Sequence, residues 1–289
     1  VKSSPLLAAT FLLSAGLALE PAPAAAGASF GYLYGVGTLE KGEWEVNHWV
    51  TSRRGRSTGE YHALDLSTEI EYGMGERLQT SLYLNAKHHD IDGVTGSADR
   101  DKTAFQGIQL AFKWNVIDPE SKPIGFALYV EPGFQRIGSG DGTAVEAWQF
   151  ETKLLFERRL TRRATWVAAV TFEPEFERPR GVSQRAKNST EAAVSGRDFE
   201  RALGLEFATG VALQLTDRWA AGLEWRTVNE YSGISLSDRE YTAHYVGPNL
   251  HFDAHEWWFT LTVLPQVGES RPLDQSEKLE TRLRFGVEF

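Results

Sequence analysis

The last eleven residues, Leu279-Glu280-Thr281-Arg282-Leu283-Arg284-Phe285-Gly286-Val287-Glu288-Phe289, constrain the fold more than any other stretch. Odd positions are apolar or neutral, and even positions are charged or small. A period of two sends the two sets to opposite faces of one extended strand. One face suits lipid and the other a polar interior. A soluble strand this two-faced more often continues into a turn or tail than stops on an aromatic ring. Such a strand needs neighbours of the same kind on both edges, and the rest of the chain must supply them.

The same alternation recurs through the sequence. Residues 43–50, 64–72, 78–86, 108–115, 126–135, 148–157, 166–177, 200–214, 219–226, 245–253 and 257–266 each set an apolar parity against a polar one. With the final segment this predicts an all-β, antiparallel up-and-down barrel of about 12 strands, each near the length that crosses a bilayer at a tilt. Gly247 and Pro248 leave the register of the tenth strand least secure. Short connections (73–77, 117–123, 158–163, 216–218, 253–256) alternate with long ones (52–61, 87–102, 136–144, 178–197, 229–242, 267–277). Transmembrane barrels have short turns at one end and longer loops at the other. An even strand number returns both ends of the barrel to the short-turn side.

Composition fits that reading where a hydropathy average does not. Mean hydropathy is −0.34 and the net charge is −9. Alternating strands cancel in any averaging window. The acidic balance argues against a nucleic-acid partner. There is no cysteine, so neither disulfides nor thiol chemistry enter. Aromatics make up 12% of the chain, with nine Trp. Trp44, Trp114, Trp166, Trp219 and Trp257, joined by Tyr72, fall where strands meet the short-turn side, as an interfacial girdle requires. At the start, Lys2, the apolar run Leu6–Leu19 and the small residues Ala24–Ala28 read as an export signal cleaved after Ala26 or Ala28. Residues 1–28 are therefore expected to be a leader, 29–41 a periplasmic segment, and 42–289 the barrel.

The inward parity is rich in charge. Glu45, Asp65, Glu69, Glu71, Glu131, Glu151, Glu173, Glu175, Glu206 and Glu224 outnumber Lys113, Lys153, Arg226, Arg282 and Arg284. A cation facing lipid at the midplane costs about 2–4 kcal/mol, so these groups must face water or one another. Two expectations follow. One is a water-filled, acid-lined path for small cationic or polar solutes. The other is a lumen closed by salt bridges, with a structural or surface-interaction role. A third alternative, outside the lumen, is a lipid-modifying outer-membrane enzyme, which requires a histidine and a nucleophile within hydrogen-bonding reach on the outward face.

Several stretches imitate chemistry. His88-His89-Asp90-Ile91-Asp92 has the density of a metal site, but no second ligand cluster matches it; it reads as a polar loop. Gly138-Ser139-Gly140-Asp141-Gly142-Thr143 lacks the Lys-Ser/Thr ending of a phosphate cradle and reads as a flexible loop tip. His48, His244 and His251 are candidate bases, yet none has an evident serine partner, and no catalytic residue, cofactor or metal is assigned. Arg178, Arg180, Arg185, Lys187 and Arg197 make one loop basic enough to meet lipopolysaccharide phosphates, or simply solvent.

Taken together, these segments resemble a porin-like outer-membrane β-barrel of Gram-negative bacteria. The terminal parity Leu283, Phe285, Val287 and Phe289 is similar to the C-terminal signal read by the barrel-assembly machinery. The segments Leu39-Glu40-Lys41-Gly42-Glu43-Trp44-Glu45-Val46 and Thr68-Glu69-Ile70-Glu71-Tyr72-Gly73 resemble an uncharacterised proteobacterial outer-membrane family. The resemblance implies the fold, an outer-membrane location, and contact with membrane lipid and lipopolysaccharide. In size the barrel is similar to nucleoside channels and to outer-membrane phospholipase, whose histidine and serine–asparagine motif is absent.

Overall fold

The computed structural model describes residues 29–180, 199–270 and 276–289. The expected leader and the middle of the basic loop, with Arg185, Lys187 and Arg197, lie outside the described residues. Twelve strands follow in order: β1 (Trp44–Arg54), β2 (Glu60–Gly75), β3 (Leu78–Asp92), β4 (Arg100–Ile117), β5 (Gly125–Ile137), β6 (Ala144–Arg159), β7 (Ala164–Pro179), β8 (Glu200–Gln214), β9 (Trp219–Ser232), β10 (Arg239–Asp253), β11 (Trp257–Ser270) and β12 (Leu279–Glu288). Each pairs antiparallel with its neighbours in sequence, and β1 pairs with β12 from Glu45↔Glu288 to Arg54↔Leu279. The sheet is a closed barrel, so it has no free edge. Closure satisfies the backbone groups that lipid cannot, and only such a sheet can cross a membrane.

The outer face carries the apolar parity. Leu82, Leu110, Phe150, Phe207, Leu223 and Leu283 stand exposed on it. Among the described residues no helix is long and apolar enough to span a membrane, and strands take that role here.

The barrel has a turn end and a loop end. At the turn end, Trp44 packs against Tyr72 with ring centroids 4.5 Å apart. Trp219 meets Phe252 at 4.7 Å, Phe252 meets Trp257 at 5.2 Å, and Trp257 meets Phe285 at 6.0 Å. Trp166 donates from Nε1 to Thr209 Oγ1 at 2.9 Å, and Trp114 stands half-exposed beside Leu78 across the ladder. Leu283, Phe285 and Phe289 are exposed on the outside of the last strand.

At the loop end the strands run further than the alternation predicts. The 87–102 connection shrinks to 93–99, because β3 continues to Asp92 and Ile91 pairs with Arg100. Both faces are polar there, so the period of two no longer contrasts, but nothing stops the backbone ladder. Near Gly107 the β3–β4 register slips by one residue, which turns Gln106 inward and leaves Phe105 out. β10 is continuous through Gly247 and Pro248. Both pair with β9, and the register shifts of β10 fall elsewhere, between Arg239 and Tyr241 on the β9 side and between His244 and Tyr245 on the β11 side.

Candidate functional site: a plugged, acid-lined lumen

Residues 29–40 do not lie in the periplasm ahead of the barrel, as the sequence predicts. They lie inside it. Phe30, Leu33 and Val36 are fully buried among inward side chains. A short extended segment placed inside a barrel must satisfy its backbone there, and side chains of the wall do this. The Glu224 carboxylate accepts from Gly31 N at 2.8 Å and from Tyr32 N at 2.9 Å. Glu157 accepts from Val36 N at 3.0 Å and Gln79 from Leu39 N at 3.0 Å. Arg284 and Arg282 donate to the carbonyls of Phe30 and Gly31, each at 3.1 Å.

The wall is two-sided to match. Along β4 to β8 a set of inward positions in the turn-end half is small or apolar: Ala111, Ala127, Leu155, Val167, Ala169, Ala208 and Ala212. Phe30, Leu33 and Val36 pack on this side, a burial worth roughly 1.5–3 kcal/mol each. The opposite side is polar and cationic. Arg282 lies 3.8 Å and Arg226 4.5 Å from the Tyr32 ring centroid, and Tyr34 stacks on Tyr129 at 5.6 Å. Burial, then the Glu280 carboxylate, hold the Tyr32 phenol well above its ordinary range, so it stays neutral between the two guanidinium groups.

Many of the expected pore-lining residues are absorbed into this arrangement. Glu224 also accepts from Asn249 at 3.0 Å and Thr262 at 2.8 Å, and is 1% exposed. Tyr83 donates to Glu69 and bonds Tyr129 at 2.9 Å, while Tyr129 donates to Glu131. Asn47 donates to Glu71 at 3.1 Å, and Trp258 Nε1 to Glu45 at 3.1 Å. Arg284 is buried with them. These groups line no open water in the plugged state.

Toward the loop end the lumen is more accessible. Arg226 bridges Glu206 (2.6 Å) and Glu280 (2.5 Å), Lys153 pairs with Glu151 (2.8 Å), and Arg282 donates to Thr51 (2.8 Å). Lys113 is half-buried too, but it lies at the turn end of β4, paired with Gln79 across the ladder. Glu173 and Glu230 flank Gly204, both within 3.6 Å of where a Cβ would stand, and each is half-buried. Around Glu173 the strongest charged neighbours are Glu151, Glu175 and Glu230 and the single base Lys153. Glu175 and Glu177 extend this acidic side along β7. The result is a vestibule with carboxylates in excess, floored by the N-terminal segment.

A second ionic group sits at the loop-end mouth. Arg53 bonds Asp65 (3.0 Å) and Glu277 (2.9 Å), Arg56 bonds Glu277 (2.9 Å), and Lys87 bonds Asp65 (3.2 Å). Burial alone would raise the Glu277 carboxyl, but Arg53 and Arg56 outweigh it and hold it below its ordinary value. The 138–143 connection is no free tip. It folds against this group: Arg53 donates to Ser139 O at 2.8 Å and Tyr61 OH to Gly140 O at 3.0 Å.

The His88-His89 pair lies on a strand, not in a loop, so its rings point to opposite faces. His89 is buried inside, and His88 faces out beside Thr103. No group of three metal ligands forms among the described residues. His48, His244 and His251 each bond a threonine hydroxyl, at 2.9, 3.0 and 2.8 Å.

Residues 23–289 match a family described as a family of unknown function, DUF6662. The chain belongs to that family. Among curated proteins none matches it in sequence. Among solved structures, the COG4313 outer membrane channel from Pseudomonas putida F1 superposes with a TM-score of 0.61 at 8% identity, covering 87% of this chain and 97% of that one. The translocator domain of the autotransporter NalP from Neisseria meningitidis gives 0.51 at 10% identity, covering 88% and 91%. At these identities the likeness is one of fold.

Proposed function

We propose that this DUF6662 protein is a passive outer-membrane channel of a Gram-negative bacterium for small cationic or polar solutes. Its N-terminal segment, residues 29–40, is the gate. One observation carries this reading: the turn-end lumen is filled by a separate segment outside the sheet, held there by side chains of the wall. The wall behind that segment is lined with alanines, which leaves a passage if the segment moves. The acid-lined vestibule above it concentrates cations. The barrel fold shared with an outer-membrane channel supports the same reading.

The filled turn-end half also favours a second reading, a closed barrel with a structural role. Planar-bilayer recordings separate the two. The intact protein is expected to open rarely, and a variant lacking residues 31–39 to conduct steadily with cation preference. A deletion variant that inserts, keeps its heat-modifiable migration and stays silent refutes the channel. So does an anion preference.

A further inference from the structure

The outer face of the barrel carries a feature unrelated to the lumen. Near the loop end, Ser52 on β1 and His62 on β2 share the lipid-facing parity, and Ser52 Oγ lies 3.1 Å from His62 Nε2. Arg54 Nε donates to the same Oγ at 3.1 Å. A hydroxyl has one proton to give. With Arg54 donating to one Oγ lone pair, the serine proton is available to the imidazole. Accepting it at Nε2 places the other ring proton on Nδ1. Asp90 of β3 is the residue paired across the ladder from His62. The charged groups acting most strongly on that ring are Arg54, Asp90 and His88.

Other histidines of this barrel also bond hydroxyls, and the comparison is informative. His48, His88, His244 and His251 all do so through Nδ1, and always to a threonine. Among the described residues only His62 brings Nε2 to a side-chain hydroxyl, and that hydroxyl is a serine's; His89 Nε2 meets the Ser139 carbonyl instead. A Nε2-to-serine contact is the orientation a nucleophile–base pair needs, and Asp90 is the carboxylate on the neighbouring strand at His62's register position. The surroundings suit one substrate class. Below His62 the same face turns apolar through Leu64, Leu66, Leu84 and Leu82, where acyl chains would lie. At the polar level Arg54 is placed to meet a carbonyl or phosphate oxygen.

The geometry points to a second activity, hydrolysis of long-chain acyl esters of membrane lipid, with Ser52 as nucleophile, His62 as base and Asp90 as a positioning residue. Ser52 Oγ adds to the ester carbonyl carbon while its proton passes to His62 Nε2. The tetrahedral adduct collapses, the carbon–alkoxy bond breaks, and the departing lipid alcohol takes that proton. Water then adds to the acyl-serine, gives a proton to Nε2, and the fatty acid leaves as Ser52 recovers its hydrogen.

The test uses the intact protein in detergent micelles with a long-chain fluorophosphonate and with p-nitrophenyl myristate. Peptide mass spectrometry is expected to find the phosphonate on Ser52, and Ser52→Ala to abolish both labelling and turnover. His62→Gln should slow turnover about 10²–10⁴-fold. Asp90→Asn should lower kcat with little change in KM. Because all three side chains point away from the lumen, channel conductance should stay at its wild-type value, so the two activities fail separately. Labelling elsewhere, turnover that survives Ser52→Ala, or cleavage of p-nitrophenyl acetate but not the myristate overturns the proposal. Labelling of the unaltered protein decides the site even if a variant fails to fold.

Discussion

Glu224 shows how one carboxylate can hold a segment in place. It receives two consecutive backbone amides of the plug and two side-chain donors of its own wall. Hydrogen bonds to a charged acceptor are worth about 1.5–3 kcal/mol against about 1 kcal/mol for neutral ones. Glu224→Gln keeps the shape and loses the charge. The two plug bonds should weaken by about 1–2 kcal/mol in total, which shifts the plugged-to-open equilibrium roughly ten-fold. Single-channel open probability is the readout, and an unchanged value would show that Glu224 does not clamp the gate. Glu277 makes a separate, pH-dependent claim. Its carboxyl is held below the ordinary value of 4.5 by Arg53 and Arg56 against the opposing effect of burial. A depressed native pKa gives stability that is fully present above the ordinary value and lost as pH falls through the native one. The mouth group should therefore hold at neutral pH and loosen only below the normal carboxylate range. Hydrogen exchange at 138–143, the connection tied to Arg53, should rise there. Glu277→Gln should make that exchange fast at pH 7 as well.

The strands were legible because each carries its own contrast of parity, and β12 carries the strongest. The plug was not. Phe30-Gly31-Tyr32-Leu33-Tyr34-Gly35-Val36-Gly37 also alternates, but it pairs with no strand; its amides go to Glu224 and Glu157 rather than to a ladder. Period alone cannot tell a strand that seeks a sheet from one that fills a tube. A trace of it was present on the other partner. Ala111, Ala127, Ala169, Ala208 and Ala212 are small on an inward parity that is elsewhere large or charged, and small residues facing a lumen leave room for something. The inward carboxylates were readable by face but not by use, since bonds such as Arg226 to Glu280 or Trp258 to Glu45 join strands far apart in sequence. The fit of plug to wall gives a prediction at this scale. Ala208→Phe fills the seat of the apolar side, and overpacking of this kind typically costs 1–3 kcal/mol. The barrel can shed that strain by releasing the segment. Protease added from the turn side should cut residues 29–40 in Ala208→Phe at a concentration that leaves the parent intact, with the barrel itself uncut in both.

Under the proposed channel function, the molecule as a whole divides its lumen into two tasks along one axis. The turn-end half, with the plug, its apolar seat and the Glu224 clamp, sets whether a path exists. The loop-end half, with Glu173, Glu175 and Glu230 in excess over Lys153, sets which ions enter it. If the halves are independent, changes in one leave the other's signature alone. The combined change Glu173→Gln, Glu175→Gln and Glu230→Gln removes three negative charges from the vestibule and touches no plug contact. In a potassium chloride gradient its reversal potential should move from the cation side toward zero, while open probability stays at the parent value. Glu224→Gln should do the reverse, with more openings at an unchanged reversal potential. The vestibule effect should also fade with added salt, since the screening length shrinks from about 10 Å at 0.1 M to about 3 Å at 1 M. A selectivity that survives both the three substitutions and molar salt would place the filter elsewhere. Charged candidates deeper in the path are Arg282 and Arg226 with its partners Glu206 and Glu280, and a filter there would join gate and selectivity in one layer beside Tyr32.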